Sequence, residues 1–121
     1  INIRRAHFEA YRAELGALTG IDFMPIVDPE AANYWLTCLT VDSETSGSSR
    51  DALIAALEAV DIEARPLWKP LHLQPVYKEK ICHGGELAAR LFKDGLCLPS
   101  GSAMHQSDRE AVITAIKETL A

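Results

Sequence analysis

A chain of 121 residues is one domain's worth of sequence, enough for a single core that buries roughly two thirds of the unfolded surface. Apolar residues make up 48% and charged residues 24%, which excludes a disordered tail. The net charge is −5, and the twelve Lys and Arg are scattered with Arg4-Arg5 as the one adjacent pair, which argues against nucleic-acid binding.

Taken in chain order, residues 2–18 have Phe8, Tyr11, Leu15 and Leu18 at helical spacing on one face, and Gly20 is placed to end that helix. Residues 21–32, with Pro25 and Pro29, read as loop or short edge segments. The run Asn33–Val41 is aromatic and β-branched and is the best strand in the chain. Asp42–Ser49 is polar and reads as a surface loop. A helix follows over 50–60, with Ser48 and Asp51 at capping-box spacing and Leu53, Ile54 and Leu57 facing inward.

Ile62–Pro66 reads as a short strand. Leu67–Tyr77 carries Pro70 and Pro75, which argue against regular structure, so it reads as an ordered aromatic loop. A short helix over 86–93 should end at Gly95. A third strand covers 96–98 and stops at Pro99. The last helix covers 107–120, capped by Ser107 with Glu110, and turns Val112, Ile113, Ile116 and Leu120 inward. Three strands with helices on one face make a two-layer α/β sandwich with an antiparallel or mixed sheet, forming one domain over 1–121.

The three cysteines, Cys38, Cys82 and Cys97, contain no CxxC and give neither a disulfide framework nor a zinc site. Cys38 and Cys97 lie in apolar runs and read as buried free thiols, which fits the cytoplasm. No run of about 18 apolar residues is present to span a membrane, and no apolar stretch follows Arg4-Arg5 as a secretory leader would require.

The four histidines, His7, His72, His83 and His105, have no metal-ligand spacing. There is no GxSxG elbow, and Ser100-Gly101-Ser102 reads as a turn. Gly84-Gly85 lacks any phosphate-loop context. That leaves Arg65–Tyr77. Within it, Arg65 and Lys69 offer charge for phosphate or carboxylate, Trp68 and Tyr77 offer stacking surface, and His72 and Gln74 offer directional hydrogen bonds. This composition suits a polar ligand with a ring and an anionic group. The plainer alternative is a proline-braced loop whose aromatics fill the edge of the core.

Two stretches, Glu63-Ala-Arg-Pro-Leu-Trp-Lys-Pro-Leu-His-Leu-Gln-Pro-Val-Tyr77 and Gly95-Leu-Cys-Leu-Pro-Ser-Gly-Ser102, resemble the DegT/DnrJ/EryC1/StrS sugar aminotransferases. The opening helix with Arg4, Arg5 and Tyr11 is similar to the start of that family's small domain. Within the family, the chain most resembles the branch that aminates C4 of UDP-linked 4-keto-6-deoxy-N-acetylhexosamines in bacillosamine-type and exopolysaccharide pathways.

The resemblance implies a fold-type-I enzyme dependent on pyridoxal 5'-phosphate, of which this chain is the small C-terminal domain. The sheet would then be small and mostly antiparallel. It further implies a nucleotide-sugar substrate, an amino donor such as glutamate, and a homodimeric full-length enzyme. The cofactor lysine would lie in a large domain outside this chain, because none of Lys69, Lys78, Lys80, Lys93 and Lys117 matches a cofactor-lysine motif, so the piece alone should be inactive and bind no cofactor. Arg65, Trp68, Lys69, His72 and Gln74 become the expected substrate contacts. The competing expectation is a non-catalytic regulatory or ligand-binding module of the same fold.

Overall fold

In a computed structural model, which describes residues 1–121, the elements run α1 (Asn2–Leu15), β1 (Ile21–Phe23), β2 (Thr37–Val41), α2 (Ser43–Ser46), α3 (Arg50–Glu58), β3 (Arg65–Pro66), α4 (Glu86–Asp94), β4 (Gly95–Leu98) and α5 (Gln106–Thr119). Two 3₁₀ turns, Leu71–Leu73 and Pro75–Tyr77, interrupt the proline-rich loop. No helix is long and apolar enough to cross a membrane.

The sheet is four-stranded and antiparallel throughout, in the order β1-β2-β4-β3. The fourth strand is β1, where the sequence suggests only loop or edge. It exists because β2 offers it an open edge, with Ile21 opposite Val41 and Phe23 opposite Leu39. The two longest strands, β2 and β4, form the centre, with Cys38 opposite Cys97 and Leu39 opposite Leu96.

Strand alternation sorts the side chains. Leu39, Val41, Leu96 and Leu98 point to the helical layer, where Tyr11 and Leu15 of α1, Leu53 and Leu57 of α3, and Val112, Ile113 and Ile116 of α5 close the core. Cys38 and Cys97 point to the other face. The inward stripes expected of α1, α3 and α5 are the buried ones, with Leu18, Ile54 and Leu120 packed at the margin. By contrast α4 buries no residue fully. It runs directly into β4 with Gly95 as the junction.

Several boundaries differ from expectation for local reasons. Helix α1 stops at Leu15, three residues early. The strand expected from Asn33 begins only at Thr37. There the Asn33 side chain accepts from the Trp35 N–H at 3.0 Å, and Tyr34 adopts a left-handed φ of 51°, which breaks the extended backbone. In return the Tyr34 ring packs against Phe8 at 5.5 Å and under the Arg5 guanidinium. The cap of α3 is Ser49, which accepts from Ala52 N–H, and not Ser48. The last helix is capped by His105, whose N–H donates to the Asp108 carboxylate at 2.8 Å, and not by Ser107. Within the expected 42–49 loop, Asp42 caps the one-turn helix α2 by accepting from Glu44 N–H.

Candidate functional site

The end of β4 shapes one wall of a shallow cleft of about 250 Å³ on the sheet face opposite the core. Pro99, Ser100 and Gly101 follow the strand and are held firmly. The fully buried Tyr11 donates its hydroxyl to the Pro99 carbonyl at 3.0 Å. Ser100 Oγ accepts from Thr37 N–H at 3.2 Å and donates to the Leu98 carbonyl at 3.2 Å. Both capacities of this buried hydroxyl are used, so Ser100 is a structural turn residue and not a nucleophile.

The other walls come from distant parts of the chain. Arg4, in the first turn of α1, lines the cleft and donates from Nη1 to the Trp35 carbonyl at 3.4 Å. Its neighbour Arg5 faces away and pins the 29–34 segment, bonding Glu30 at 2.9 Å and the Pro29 carbonyl at 2.5 Å. Trp35 also lines the cleft. Arg65 enters from β3, directly opposite Cys97 in the ladder. Its guanidinium is occupied by Glu63, with Nε at 2.7 Å from the carboxylate. Both partners are exposed, so the pair is weak and readily exchanged.

Trp68 stands over Trp35, ring centroids 6.2 Å apart and planes at 39°. The two rings are 65% and 59% exposed. Such exposure is unusual for large aromatics whose rings are held together by neighbouring loops.

Of the five expected contacts, Arg65 lines the cleft, and Trp68 stands at its border, packed on the lining residue Trp35. The structure places the other three elsewhere. Lys69 is exposed, and its carbonyl accepts from the Gln74 amide at 3.3 Å, so these two brace the loop. His72 is half-buried and turns towards the 82–85 segment. A Cβ on Gly85 would lie 2.9 Å from its Cε1, and Gly85 itself holds a φ of 102° that favours glycine. Sequence reasoning missed Arg4 and Trp35 as cleft residues. The signal for them was an adjacent basic pair and an aromatic assigned to a strand, and neither says what it will face.

Residues 1–117 match the DegT/DnrJ/EryC1/StrS aminotransferase family. The chain belongs to that family. Similar sequences include EpsN of Bacillus subtilis (strain 168), provisionally named a pyridoxal phosphate-dependent aminotransferase. It is 41% identical over 117 residues, which are 93% of this chain and 29% of EpsN. The GDP-perosamine synthase of Vibrio cholerae is 36% identical over 125 residues, covering 97% of this chain and 32% of the synthase. Among solved structures, the aminotransferase TlmJ from Streptoalloteichus hindustanus superposes with a TM-score of 0.82 at 26% identity, over 99% of this chain and 31% of TlmJ. The chain thus spans about a third of the length of the relatives it matches.

The residues present do not fit a pyridoxal phosphate site within this chain. A Schiff-base lysine needs an amine taken out of water. Lys69, Lys78, Lys80, Lys93 and Lys117 are all exposed, and Lys117 is tied to Glu14 at 2.6 Å.

Proposed function

We propose that the chain is the small C-terminal domain of a pyridoxal phosphate-dependent aminotransferase that moves an amino group from glutamate to a 4-keto nucleotide sugar. In this reading the UDP-linked 4-keto-6-deoxy-N-acetylhexosamines are the substrate class, the full-length enzyme is a homodimer, and the remaining two thirds of the chain hold the cofactor and its lysine. When bound there, the cofactor supplies the electron sink for the transfer. The 121-residue piece, with only exposed lysines, has no transfer activity by itself.

The observation that carries the reading is the pairing of family membership with the cleft's composition. Two exposed indole rings lie beside Arg4 and Arg65 on the face free of core packing. Aromatic faces stack on rings, and guanidinium forks match phosphate oxygens in pairs. Arg65 would leave the exposed Glu63 carboxylate for a diphosphate, an exchange of one charged acceptor for another. The role of this chain's residues is to bind and orient a sugar nucleotide.

The test uses the full-length enzyme with cofactor and measures the two half-reactions separately. Trp68→Ala should lower kcat/KM for the sugar nucleotide by roughly ten- to a hundred-fold, the weight of one lost stacking contact or hydrogen bond of about 1–3 kcal/mol. The glutamate half-reaction should stay within about twofold. A stable variant with unchanged sugar kinetics would remove Trp68 from the site. A full-length protein that reacts with no amino donor would point instead to the regulatory module.

A further inference from the structure

On the sheet face away from the core, β2 and β4 set two thiols side by side. Cys38 and Cys97 are directly opposite in the antiparallel ladder, and their sulfurs are 3.6 Å apart. Residues opposite each other in such a ladder have Cα atoms about 4.5–5.5 Å apart, within the span that a disulfide bridges. The sulfurs need to approach by only roughly 1.5 Å to reach bonding distance. Neither thiol is sealed off: each is 9% exposed, and Cys97 lines the cleft beside Arg4, Trp35 and Arg65. The third cysteine, Cys82, is exposed and lies on a different loop, where its thiol donates to the Gly84 carbonyl.

We infer that Cys38 and Cys97 form a reversible dithiol–disulfide site, entered through the cleft by a low-molecular-weight disulfide. The steps balance. The Cys97 thiolate attacks one sulfur of the reagent, forming a mixed disulfide and expelling one reagent thiolate. The Cys38 sulfur then attacks Cys97, closing the cross-strand bond and expelling the second. Two protein thiols are oxidised, one reagent disulfide is reduced to two thiols, and the protons from Cys38 and Cys97 end on those thiols.

The order of attack follows from the contact between the two sulfurs. The Cys38 S–H can donate to Cys97, which holds the Cys97 thiol below its ordinary range. The same bond, with burial added, holds Cys38 high. Cys97 is also the thiol on the cleft wall, so reactivity and access coincide. A lone thiol such as Cys82 can take up one reagent half and keep it, whereas a paired thiol expels it. The inference is independent of the substrate proposed above.

The experiment treats the native 121-residue chain with glutathione disulfide and maps it after trypsin cleavage. Cutting after lysine and arginine leaves the three cysteines on three different peptides. The expected product is one peptide linking Cys38 to Cys97, reversed by dithiothreitol, with a stable glutathione adduct on Cys82 alone. In a Cys82→Ser background the chain should become lighter by its two thiol hydrogens and carry no adduct. Cys97→Ala should slow loss of the Cys38 thiol by at least about tenfold. If that variant does not fold, the time course serves instead, since the Cys97 adduct must appear before the linked peptide. Absence of the linked peptide, glutathione that remains on Cys38 or Cys97, linkage only in denaturant, or an adduct forming first on Cys38 would each overturn the inference.

Discussion

Replacing Gly95 by alanine isolates the role of space at the junction of α4 and β4. The φ of Gly95 is −101°, which any residue adopts, so no conformational strain follows from the change. Space is another matter. A Cβ there would stand 2.8 Å from Leu67 Cγ, and closer still to Leu67 Cδ1 and the Leu91 carbonyl oxygen. The leucine can rotate, but the Leu91 carbonyl belongs to the last turn of α4 and accepts the Gly95 N–H.

Overpacking of this kind costs about 1–3 kcal/mol, and weakening that hydrogen bond adds about 1 kcal/mol. At about 4 °C per kcal/mol for a domain of this size, Tm should fall by about 8–16 °C. Leu67 N–H donates to the Gly95 carbonyl at 3.0 Å, so a shift of Leu67 passes to Trp68. The chain has only two tryptophans, and they form the 6.2 Å pair. The near-ultraviolet circular dichroism from that coupled pair should therefore weaken in step with stability. Gly101→Ala is the control, because its Cβ meets nothing within 4 Å, and it should melt within about 2 °C of the parent. A Gly95→Ala chain that melts like the control with an unchanged indole signal would refute the packing argument.

Tyr11→Phe removes the hydroxyl that donates to the Pro99 carbonyl and should cost about 1–2 kcal/mol in chemical denaturation; no loss would mean the cleft wall is held otherwise. Ser49→Ala should cost about 1 kcal/mol as the lost cap of α3, while Ser48→Ala should be close to neutral by the same assay, reversing the assignment that spacing suggests. His7 is buried, and Arg109, which can only donate, lies 3.2 Å from its Nδ1, so the ring proton sits on Nε2. Burial, then the Arg109 charge, hold its pKa below the ordinary 6.5. The unfolded chain therefore takes up the proton first. Stability should be complete above about pH 6.5 and fall as pH drops below it, a slope that His7→Gln should flatten in denaturant titrations across pH 5–7.

Helices α1, α3, α4 and α5 were legible because each carries a one-sided apolar period, as Phe8, Tyr11 and Leu15 do in α1, whereas the one-turn α2 has no apolar residue to give it away. Strands β2 and β4 were legible from short apolar runs. Strand β1 was not, since three residues hold no period and depend on a partner 16 or more residues away. Nor was the break at Tyr34, where a buried ring contact outweighs a strand-forming sequence. At α3 the right residue type stands at the right place, but spacing alone picks the wrong neighbour where Ser48 and Ser49 adjoin, and at α5 the cap is His105, two residues before the serine that spacing suggests. At the candidate site, composition singled out the Arg65–Tyr77 loop, yet which side chain faces the cleft depends on the path of the turns. Arg65 and Trp68 meet Arg4 and Trp35 only through tertiary folding.

Every hydrogen bond made by residues 68–84 stays within that stretch, and none of these residues belongs to the buried core. It is attached at one end through Leu67 to Gly95 and at the other through Gly85 to α4. Such a segment is an exchangeable cassette. Its side chains can be rewritten, or its length altered, without disturbing the register of β3 and β4 on which it is mounted. A lineage that keeps this scaffold can therefore change what one side of the cleft presents while Tyr11, Thr37 and Ser100 keep the opposite side constant.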